Sequence, residues 1–200
     1  MKNKINILAL FAIGALLAFK PNHQGLHIGE KAPDFNLKNI DGKMVSLASI
    51  KNTKGYMVIF TCNHCPFSVA YEDRIIELHK KFAPKGVPVV AINPNDEERQ
   101  PEDSYENMIK RAKQKKFPFV YLHDETQQVA RTYGAARTPH VFLLNSSLTT
   151  MYIGAIDDNH ENAKEVNNKY LEVAVNQMLQ NQPITQPETK AIGCTIKWKK

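Results

Sequence analysis

The sequence is poor in cysteine and contains no second cysteine pair. Three cysteines occur among 200 residues. Cys62 and Cys65 are separated by two residues, whereas Cys194 stands alone near the end of the chain. A structural zinc site uses about four ligands, usually from two such pairs, so the sequence favours another role for Cys62 and Cys65. Because the cysteine count is odd, at least one thiol is unpaired within the chain.

Internal repeats and a basic surface are also absent from the sequence. The formal net charge is +6, but several lysines lie at the two ends of the chain, namely Lys2, Lys4, Lys197, Lys199 and Lys200. Between the ends the charges are mixed and nearly balanced, which predicts no nucleic-acid partner. Hydrophobic residues make up 42% of the chain and charged residues 23%, as expected for one globular domain with a sizeable core.

The apolar run Ile5–Phe19 near the start of the chain is too short for an ordinary membrane span, which needs roughly 20 residues. With Lys2 and Lys4 before it, the run predicts a secretory signal within residues 1–22. No cysteine follows the run, which argues against a lipoprotein anchor. An uncleaved membrane anchor is the alternative. Either segment would place the body of the protein outside the cytoplasm, periplasmic or secreted, where disulfides persist.

Cys62 and Cys65 lie between a predicted buried strand, Tyr56–Phe60, and a predicted helix that begins near Pro66. A cysteine at a helix N-terminus feels the positive end of the helix dipole, which favours the thiolate. The sequence therefore predicts a redox pair. In it Cys62, the more exposed and more acidic thiol, is the nucleophile, and Cys65 resolves the mixed disulfide. His64 either adds a cation beside the thiolate or is an exposed side chain with little effect.

Apolar strands and amphipathic helices alternate along the rest of the chain. Strands are predicted at residues 32–37, 44–47, 56–60, 87–92, 119–122, 140–144 and 149–153. Helices are predicted at residues 66–82, 105–115, 126–133 and 162–179. The polar run 96–103 and the Asp157-Asp158 pair are interpreted as exposed loops. This order predicts an α/β fold with a central mixed β-sheet and helices on both faces. The domain is expected to span residues 26–182, and residues 183–200 are expected to form a C-terminal tail.

Four segments of the chain carry a resemblance to known proteins. They are Gly29–Phe35, the pair Cys62 and Cys65, Gly134–His140, and Gly193–Trp198. Together they resemble the thioredoxin superfamily, and within it the peroxiredoxin-like branch of the alkyl hydroperoxide reductase/thiol-specific antioxidant type. The resemblance covers roughly residues 26–199. It implies a thioredoxin fold with an N-terminal β-hairpin extension and a helical insertion around residues 105–115.

The resemblance assigns a role to Thr138 and Pro139. In thioredoxin-fold proteins the matching proline is cis and faces the cysteine pair, and the residue before it binds an extended substrate through its backbone. Two positions depart from the family pattern. Ile59 replaces the threonine that peroxiredoxins place three residues before the reactive cysteine, which speaks against peroxide chemistry by that mechanism. Tyr56 replaces the buried aspartate of thioredoxins, so another group or water must take the proton from Cys65.

The sequence thus predicts a thiol–disulfide oxidoreductase outside the cytoplasm that acts through Cys62 and Cys65. Asn63 and His64 are expected to modulate the site, because a histidine between the cysteines resembles oxidising disulfide exchangers. Expected partners are protein thiols or disulfides and a thiol electron donor or acceptor, with no cofactor and no resident metal. One alternative is a peroxiredoxin-like thiol peroxidase with antioxidant activity. Another is a copper or zinc carrier that uses Cys62, Cys65 and His64.

Cys194 lies in the segment Gly193–Trp198, whose Ile196 and Trp198 favour docking on the domain. Three interpretations compete for its thiol. It is a buried inert cysteine, it pairs with another chain, or it is a third redox cysteine that reaches Cys62 and Cys65. We expect the segment to dock near the active site.

Overall fold

A computed structural model describes residues 25–200, which form a mixed seven-stranded sheet and a separate two-stranded ribbon. The strands are β1 (Leu37–Asn39), β2 (Met44–Val45), β3 (Gly55–Phe60), β4 (Val89–Asn93), β5 (Val120–His123), β6 (Arg137–Thr138), β7 (His140–Asn145), β8 (Thr150–Gly154) and β9 (Cys194–Thr195). The signal or anchor predicted within residues 1–22 lies outside the described residues.

The seven-stranded sheet has the order β2-β1-β5-β4-β3-β7-β8, and β6 pairs with β9 in the ribbon. The inner strand β3 runs parallel to β4 and antiparallel to β7. Every residue of β3 and of β4 is buried, because both faces of the sheet are covered. The prediction of an α/β fold with a mixed sheet is confirmed.

Helices cover both faces of this sheet. They are α1 (Pro66–Phe82), α2 (Tyr105–Lys115), α3 (Gln128–Tyr133) and α4 (Tyr170–Leu179). Side chains of α1, α2 and α4 pack in one apolar cluster, and those of α3 pack in a second cluster on the opposite face. The apolar stripe of α1 is buried as its periodicity predicts. No helix within residues 25–200 is long and apolar enough to cross a membrane.

The last helix is shorter than the sequence predicts. We expected it to begin at Asn162, but α4 begins at Tyr170, with only a short 3₁₀ turn at Ala163–Glu165 before it. The Asp158 carboxylate accepts hydrogen bonds from the backbone N–H groups of Asn167 and Asn168. Asp and Asn side chains compete in this way with helical hydrogen bonding, so the chain stays irregular up to residue 169.

Two segments that we interpreted as exposed loops contain buried carboxylates. Asp157 is 5% exposed, accepts a hydrogen bond from Tyr71 and pairs with Arg74 on α1. In the run 96–103, Asp96 and Asp103 are buried. The interpretation of both segments as exposed loops is therefore wrong at these residues. Polarity alone misled, because a buried carboxylate is stable when partners satisfy it.

The segment that follows α4 runs back along the domain to the cysteine pair. It pairs with β8, where Ile153 N–H donates to the Pro187 carbonyl and Thr189 N–H donates to the Ile153 carbonyl. It then crosses to β6, where Cys194 lies opposite Thr138 in an antiparallel register. The fold thereby brings a cysteine from the end of the chain to the start of α1.

Candidate active site

The two central cysteines lie where β3 gives way to α1. Thr61 extends β3 by donating its N–H to the Ile92 carbonyl, and the chain then turns through Asn63 and His64. Cys65 is the N-cap of α1, and Pro66 occupies the first helical position, where no backbone donor is needed. The predicted location of the pair at a helix N-terminus is confirmed.

Thr138 and Pro139 face the cysteine pair, and the peptide bond between them is cis, as the resemblance implied. The Cys62 sulfur lies 3.2 Å from the Thr138 hydroxyl. The Cys65 thiol donates to the Thr138 carbonyl over 3.2 Å. Both sulfurs are nearly inaccessible, since Cys62 is 3% exposed and Cys65 is not exposed at all. One threonine thus contacts both members of the pair.

Asp103 is the functional residue that the sequence did not reveal. Its carboxylate is fully buried and accepts hydrogen bonds from the backbone N–H groups of Asn63 and His64. It also accepts from His64 Nδ1 over 2.5 Å and from the Asn95 amide over 2.7 Å. The Asp103 carboxylate therefore holds the loop between the two cysteines in place, and it accepts four hydrogen bonds.

Asp103 is a buried carboxylate near the pair, but it contacts His64 and the loop rather than Cys65. The His64 Nδ1 that donates to Asp103 is also 3.6 Å from the Cys62 sulfur. The same ring nitrogen therefore contacts both the thiol and the carboxylate, and it donates its hydrogen to Asp103. The negative charge of Asp103 offsets the positive charge that a protonated His64 would present to Cys62. No local sequence signal marks Asp103, because its neighbours are polar and it lies about forty residues from the cysteines.

Asn63 stabilises the same loop through its side chain. Its amide donates to the Glu102 carbonyl over 2.9 Å, and its side-chain oxygen accepts from the Tyr121 hydroxyl over 3.0 Å. Asn63 therefore ties the loop between the two cysteines to strand β5 and to the connection that precedes α2. The geometry gives Asn63 a positioning contact rather than a contact with either sulfur.

The electrostatic surroundings of Cys62 and Cys65 differ. Burial raises the pKa of the Cys62 thiol well above its usual value, and the hydrogen bond to Cys65 and the charge of Asp103 raise it further. Hydrogen bonds from the thiols of Cys62 and Cys194, and from backbone N–H groups, lower the pKa of Cys65 to about 4. In the reduced protein the pKa of Cys62 is raised and that of Cys65 is lowered, the opposite of the order expected from the sequence.

Cys194 joins the site through the ribbon formed by β6 and β9. It lies opposite Thr138, whose carbonyl oxygen is 3.2 Å from the Cys65 sulfur, and its interaction with Cys65 helps to lower the pKa of that thiol. Burial and the neighbouring Cys65 raise the pKa of Cys194 to about 11. The expectation that this segment docks near the active site is confirmed.

Three groups at the site could bind a metal ion together. A ligand atom from each of Cys62, His64 and Asp103 lies within 4.8 Å of the others. Sulfur, imidazole and carboxylate are the donors that zinc accepts. The set differs from the one considered from the sequence, because Asp103 takes the place of Cys65.

The family of the chain follows from comparison with known proteins. The model of the AhpC/TSA family matches residues 28–159. The chain belongs to the AhpC/TSA family. This family lies in the peroxiredoxin-like branch of the thioredoxin superfamily, so the relationship predicted from the sequence and the thioredoxin fold are confirmed.

Three similar proteins give this AhpC/TSA chain a context. A crystal structure of an uncharacterized conserved protein from Geobacillus kaustophilus is 40% identical with a TM-score of 0.81, over 86% of this chain and 93% of that one. The thiol-disulfide oxidoreductase ResA of Bacillus anthracis is 27% identical over 139 residues, which are 67% of this chain and 74% of the relative. The putative peroxiredoxin bcp of Helicobacter pylori strain J99 is 28% identical over 110 residues, which are 55% and 67% of the two chains.

Proposed function

We propose that this protein is a thiol–disulfide oxidoreductase that exchanges disulfides through Cys62 and Cys65. The observation that carries the proposal is the placement of both sulfurs at the start of α1, each 3.2 Å from an oxygen of Thr138 beside the cis Pro139. Two adjacent cysteines that can close a disulfide and open it again are what dithiol exchange requires. Similarity to a protein named thiol-disulfide oxidoreductase supports the same function.

The first step of reduction uses Cys62 as the nucleophile, because it is the more exposed sulfur. Cys62 first gives up its proton, to Cys65 or to water, which leaves the thiolate on Cys62. This thiolate attacks one sulfur of a partner disulfide, forms a mixed disulfide and releases the other partner sulfur as a thiolate. The electrostatic field of His64 and Asp103 sets the stability of the Cys62 thiolate.

The second step uses Cys65 as the resolving cysteine. Cys65 loses its proton to water or to the departing group and attacks the sulfur of Cys62. The Cys62–Cys65 disulfide forms, and the second partner sulfur leaves as a thiol. Two electrons have then passed from the Cys62/Cys65 dithiol to the partner. The reverse sequence oxidises a partner dithiol.

Trapping of the mixed disulfide tests this function. A Cys65→Ser variant lacks the resolving thiol, so incubation with a disulfide-bonded protein should accumulate a covalent adduct on Cys62. The matched Cys62→Ser variant should accumulate none at residue 62 and should fail to reduce the partner. Adducts that map to another residue, or wild-type rates in the Cys62→Ser variant, would contradict the proposal.

Two alternatives have observations in their favour. Similarity to a putative peroxiredoxin favours a thiol peroxidase, although Ile59 stands at the position of the expected threonine. The grouping of Cys62, His64 and Asp103 favours a metal carrier. A stoichiometric zinc or copper content in the reduced protein as purified would support the carrier function, and a metal-free protein would remove it.

The location and the partners of the protein also belong to this proposal. The apolar run at residues 5–19 supports export from the cytoplasm, with cleavage of the signal or with retention as an anchor. Protein thiols and disulfides in that compartment would be the substrates, and a separate thiol protein would exchange electrons with the pair. A reporter fusion to the first 25 residues, assayed for export, tests the location.

A further inference from the structure

The C-terminal strand β9 covers the backbone edge that lies next to the active-site sulfurs. Thr138 and Arg137 form β6, and their partners in β9 are Cys194 and Thr195. A partner polypeptide that brought its own cysteine along this edge would occupy the same place. The protein therefore carries, within its own chain, a cysteine at the position that a paired substrate strand would offer.

Several contacts fix the segment around β9 in this position. Ile196 is buried on the second face of the sheet. Lys197 donates its N–H to Asn95 and accepts at its carbonyl from the Asp96 N–H and the Gln127 amide. A Cβ on Gly193 would lie 2.3 Å from the Thr138 carbonyl oxygen, so the approach of the two backbones requires glycine.

Further contacts hold the last residues. The guanidinium of Arg131 lies 4.4 Å from the centre of the Trp198 ring. The backbone carbonyl of Trp198 accepts a hydrogen bond from the Arg99 side chain. Lys199 donates its N–H to Gln127 over 2.7 Å. The docking of Cys194 is therefore a defined packing arrangement that involves residues on both sides of it.

Within this arrangement, Thr138 contacts or pairs with all three cysteines. Its hydroxyl lies 3.2 Å from the Cys62 sulfur, its carbonyl oxygen lies 3.2 Å from the Cys65 sulfur, and Cys194 is its partner in the ribbon. Cys65 is fully buried, whereas Cys194 is only partly buried. A disulfide transferred from Cys62–Cys65 to Cys65–Cys194 would therefore gain a member that solvent reaches more easily.

The geometry points to Cys194 as an internal third redox cysteine that exchanges with the Cys62–Cys65 disulfide, an inference that rests on the proposed function. The Cys194 thiolate attacks the Cys65 sulfur of that disulfide. The Cys65–Cys194 bond forms, the Cys62–Cys65 bond breaks, and Cys62 leaves as a thiolate that takes up the proton released by Cys194. No electrons enter or leave the protein in this step.

The local charges change in the direction that this step needs. In the reduced protein, burial and the interaction with Cys65 raise the pKa of Cys194 to about 11. Once Cys65 is bonded to Cys62, its sulfur is neutral and accepts no such hydrogen bond. Cys65 then no longer raises the pKa of Cys194, while the charge of Lys197 still lowers it. Cys194 therefore ionises more readily when the disulfide it attacks is present.

As a consequence, the two partner proteins of the enzyme can react with different cysteines. After transfer, Cys62 is again a free nucleophile beside His64, and the oxidising equivalent resides on Cys65–Cys194. A second thiol protein can then reduce the enzyme by attack on Cys194. The partner that is served by Cys62 and the partner that is served by Cys194 need not use the same sulfur.

Disulfide mapping tests the relay directly. Reduced full-length protein is oxidised with one equivalent of diamide, quenched in acid, alkylated and digested, and its disulfide peptides are identified by mass spectrometry. We expect both Cys62–Cys65 and Cys65–Cys194 in the wild type, only Cys65–Cys194 in Cys62→Ser, and complete loss of the second disulfide in Cys194→Ser. Trp198 fluorescence confirms that each variant keeps the docked segment.

Three outcomes would overturn the relay. They are a wild type that contains only Cys62–Cys65, a Cys194 that remains alkylatable in oxidised Cys62→Ser, and a Cys194–Cys194 bond between two chains. These outcomes are distinct from failure of the proposed function. That function fails when the Cys65→Ser variant traps no partner on Cys62, whatever disulfide Cys194 forms.

Discussion

At the scale of single residues, Cys62 is surrounded by a hydroxyl, an imidazole and a nearby buried carboxylate. Thr138 contacts its sulfur directly, and Asp103 acts through His64. Burial is the main cause of the raised pKa of Cys62, and the charge of Asp103 adds to it because it disfavours a second negative charge nearby. Asp103 therefore tunes the thiol pair and shapes the loop that presents it.

An Asp103→Asn substitution should lower the pKa of Cys62, because the amide still accepts the backbone hydrogen bonds but carries no charge. The reduced dithiol would be stabilised, so its potential should become more oxidising. A tenfold change in the exchange equilibrium corresponds to about 30 mV, so a shift of tens of millivolts is expected. Thiolate absorbance against pH, and equilibration with glutathione, measure the two effects.

A matched control for this substitution is Glu102→Gln. Glu102 is the adjacent carboxylate and lies at the exposed surface, where solvent screens its charge. It should leave both the thiolate titration and the potential near their wild-type values. Equal shifts in the two variants would show that Asp103 has no special influence on Cys62.

His140 gives a second prediction at this scale. Burial, followed by the charge of Arg137, lowers its pKa to about 4 from an ordinary value of 6.5. Between about pH 4 and pH 6.5, the unfolded chain therefore binds more protons than the folded chain. The stabilisation from a neutral His140 is complete above pH 6.5 and is lost as the pH falls toward 4.

A His140→Gln variant should lose less stability than the wild type when the pH falls from 6.5 to 4. The difference should reach at most about 3 kcal/mol, because one pKa unit corresponds to about 1.4 kcal/mol. Urea unfolding at both pH values measures it. An unchanged slope in His140→Gln would show that His140 does not contribute.

Some residues of the site could be predicted from the sequence and others could not. Cys62, Cys65 and the cis Pro139 were found because a local motif or a family pattern marks them. Asp103 was missed because it reaches the site through tertiary structure, from a polar run that resembles an exposed loop. The opposite pKa shifts of the two cysteines were not predicted either, since they depend on burial and on the groups around each sulfur.

At the scale of elements, the periodicity of α1 predicted its buried face correctly, because one helical stripe contains its large apolar residues. The same reasoning placed the start of the last helix too early. Residues 162–169 contain Asn and lie near Asp158, and their side chains satisfy the backbone in a non-helical form. Periodicity therefore predicts an element best where no polar side chain competes for its backbone.

The ribbon of β6 and β9 provides a prediction about an element. Gly193→Ala should displace β9 from β6, because its new methyl group would collide with the Thr138 carbonyl. Cys194 would then become more accessible and alkylate faster. The control is Ile192→Ala, since this neighbouring side chain is 47% exposed and should leave the rate unchanged. Slow alkylation in Gly193→Ala would contradict tight docking of the ribbon.

At the scale of the whole molecule, the fold concentrates its chemistry at one edge. Strand β3 and helix α1 bring Cys62 and Cys65, β6 brings Thr138, and the C-terminal segment returns with Cys194. Asp103 enters from the connection between β4 and α2. An AhpC/TSA chain thus combines a two-cysteine exchange motif with a third cysteine and a buried carboxylate of its own.

The measurement that tests the central claim most directly is a comparison of oxidants on the reduced wild-type protein by stopped flow. Disulfide exchange through Cys62 and Cys65 predicts fast oxidation by a disulfide-bonded protein. It predicts slow oxidation by hydrogen peroxide, at the rate of an ordinary thiolate, because Ile59 stands where peroxidases have a threonine. A peroxide rate constant many orders of magnitude above that of an ordinary thiolate would contradict the account and assign the protein to the peroxidases.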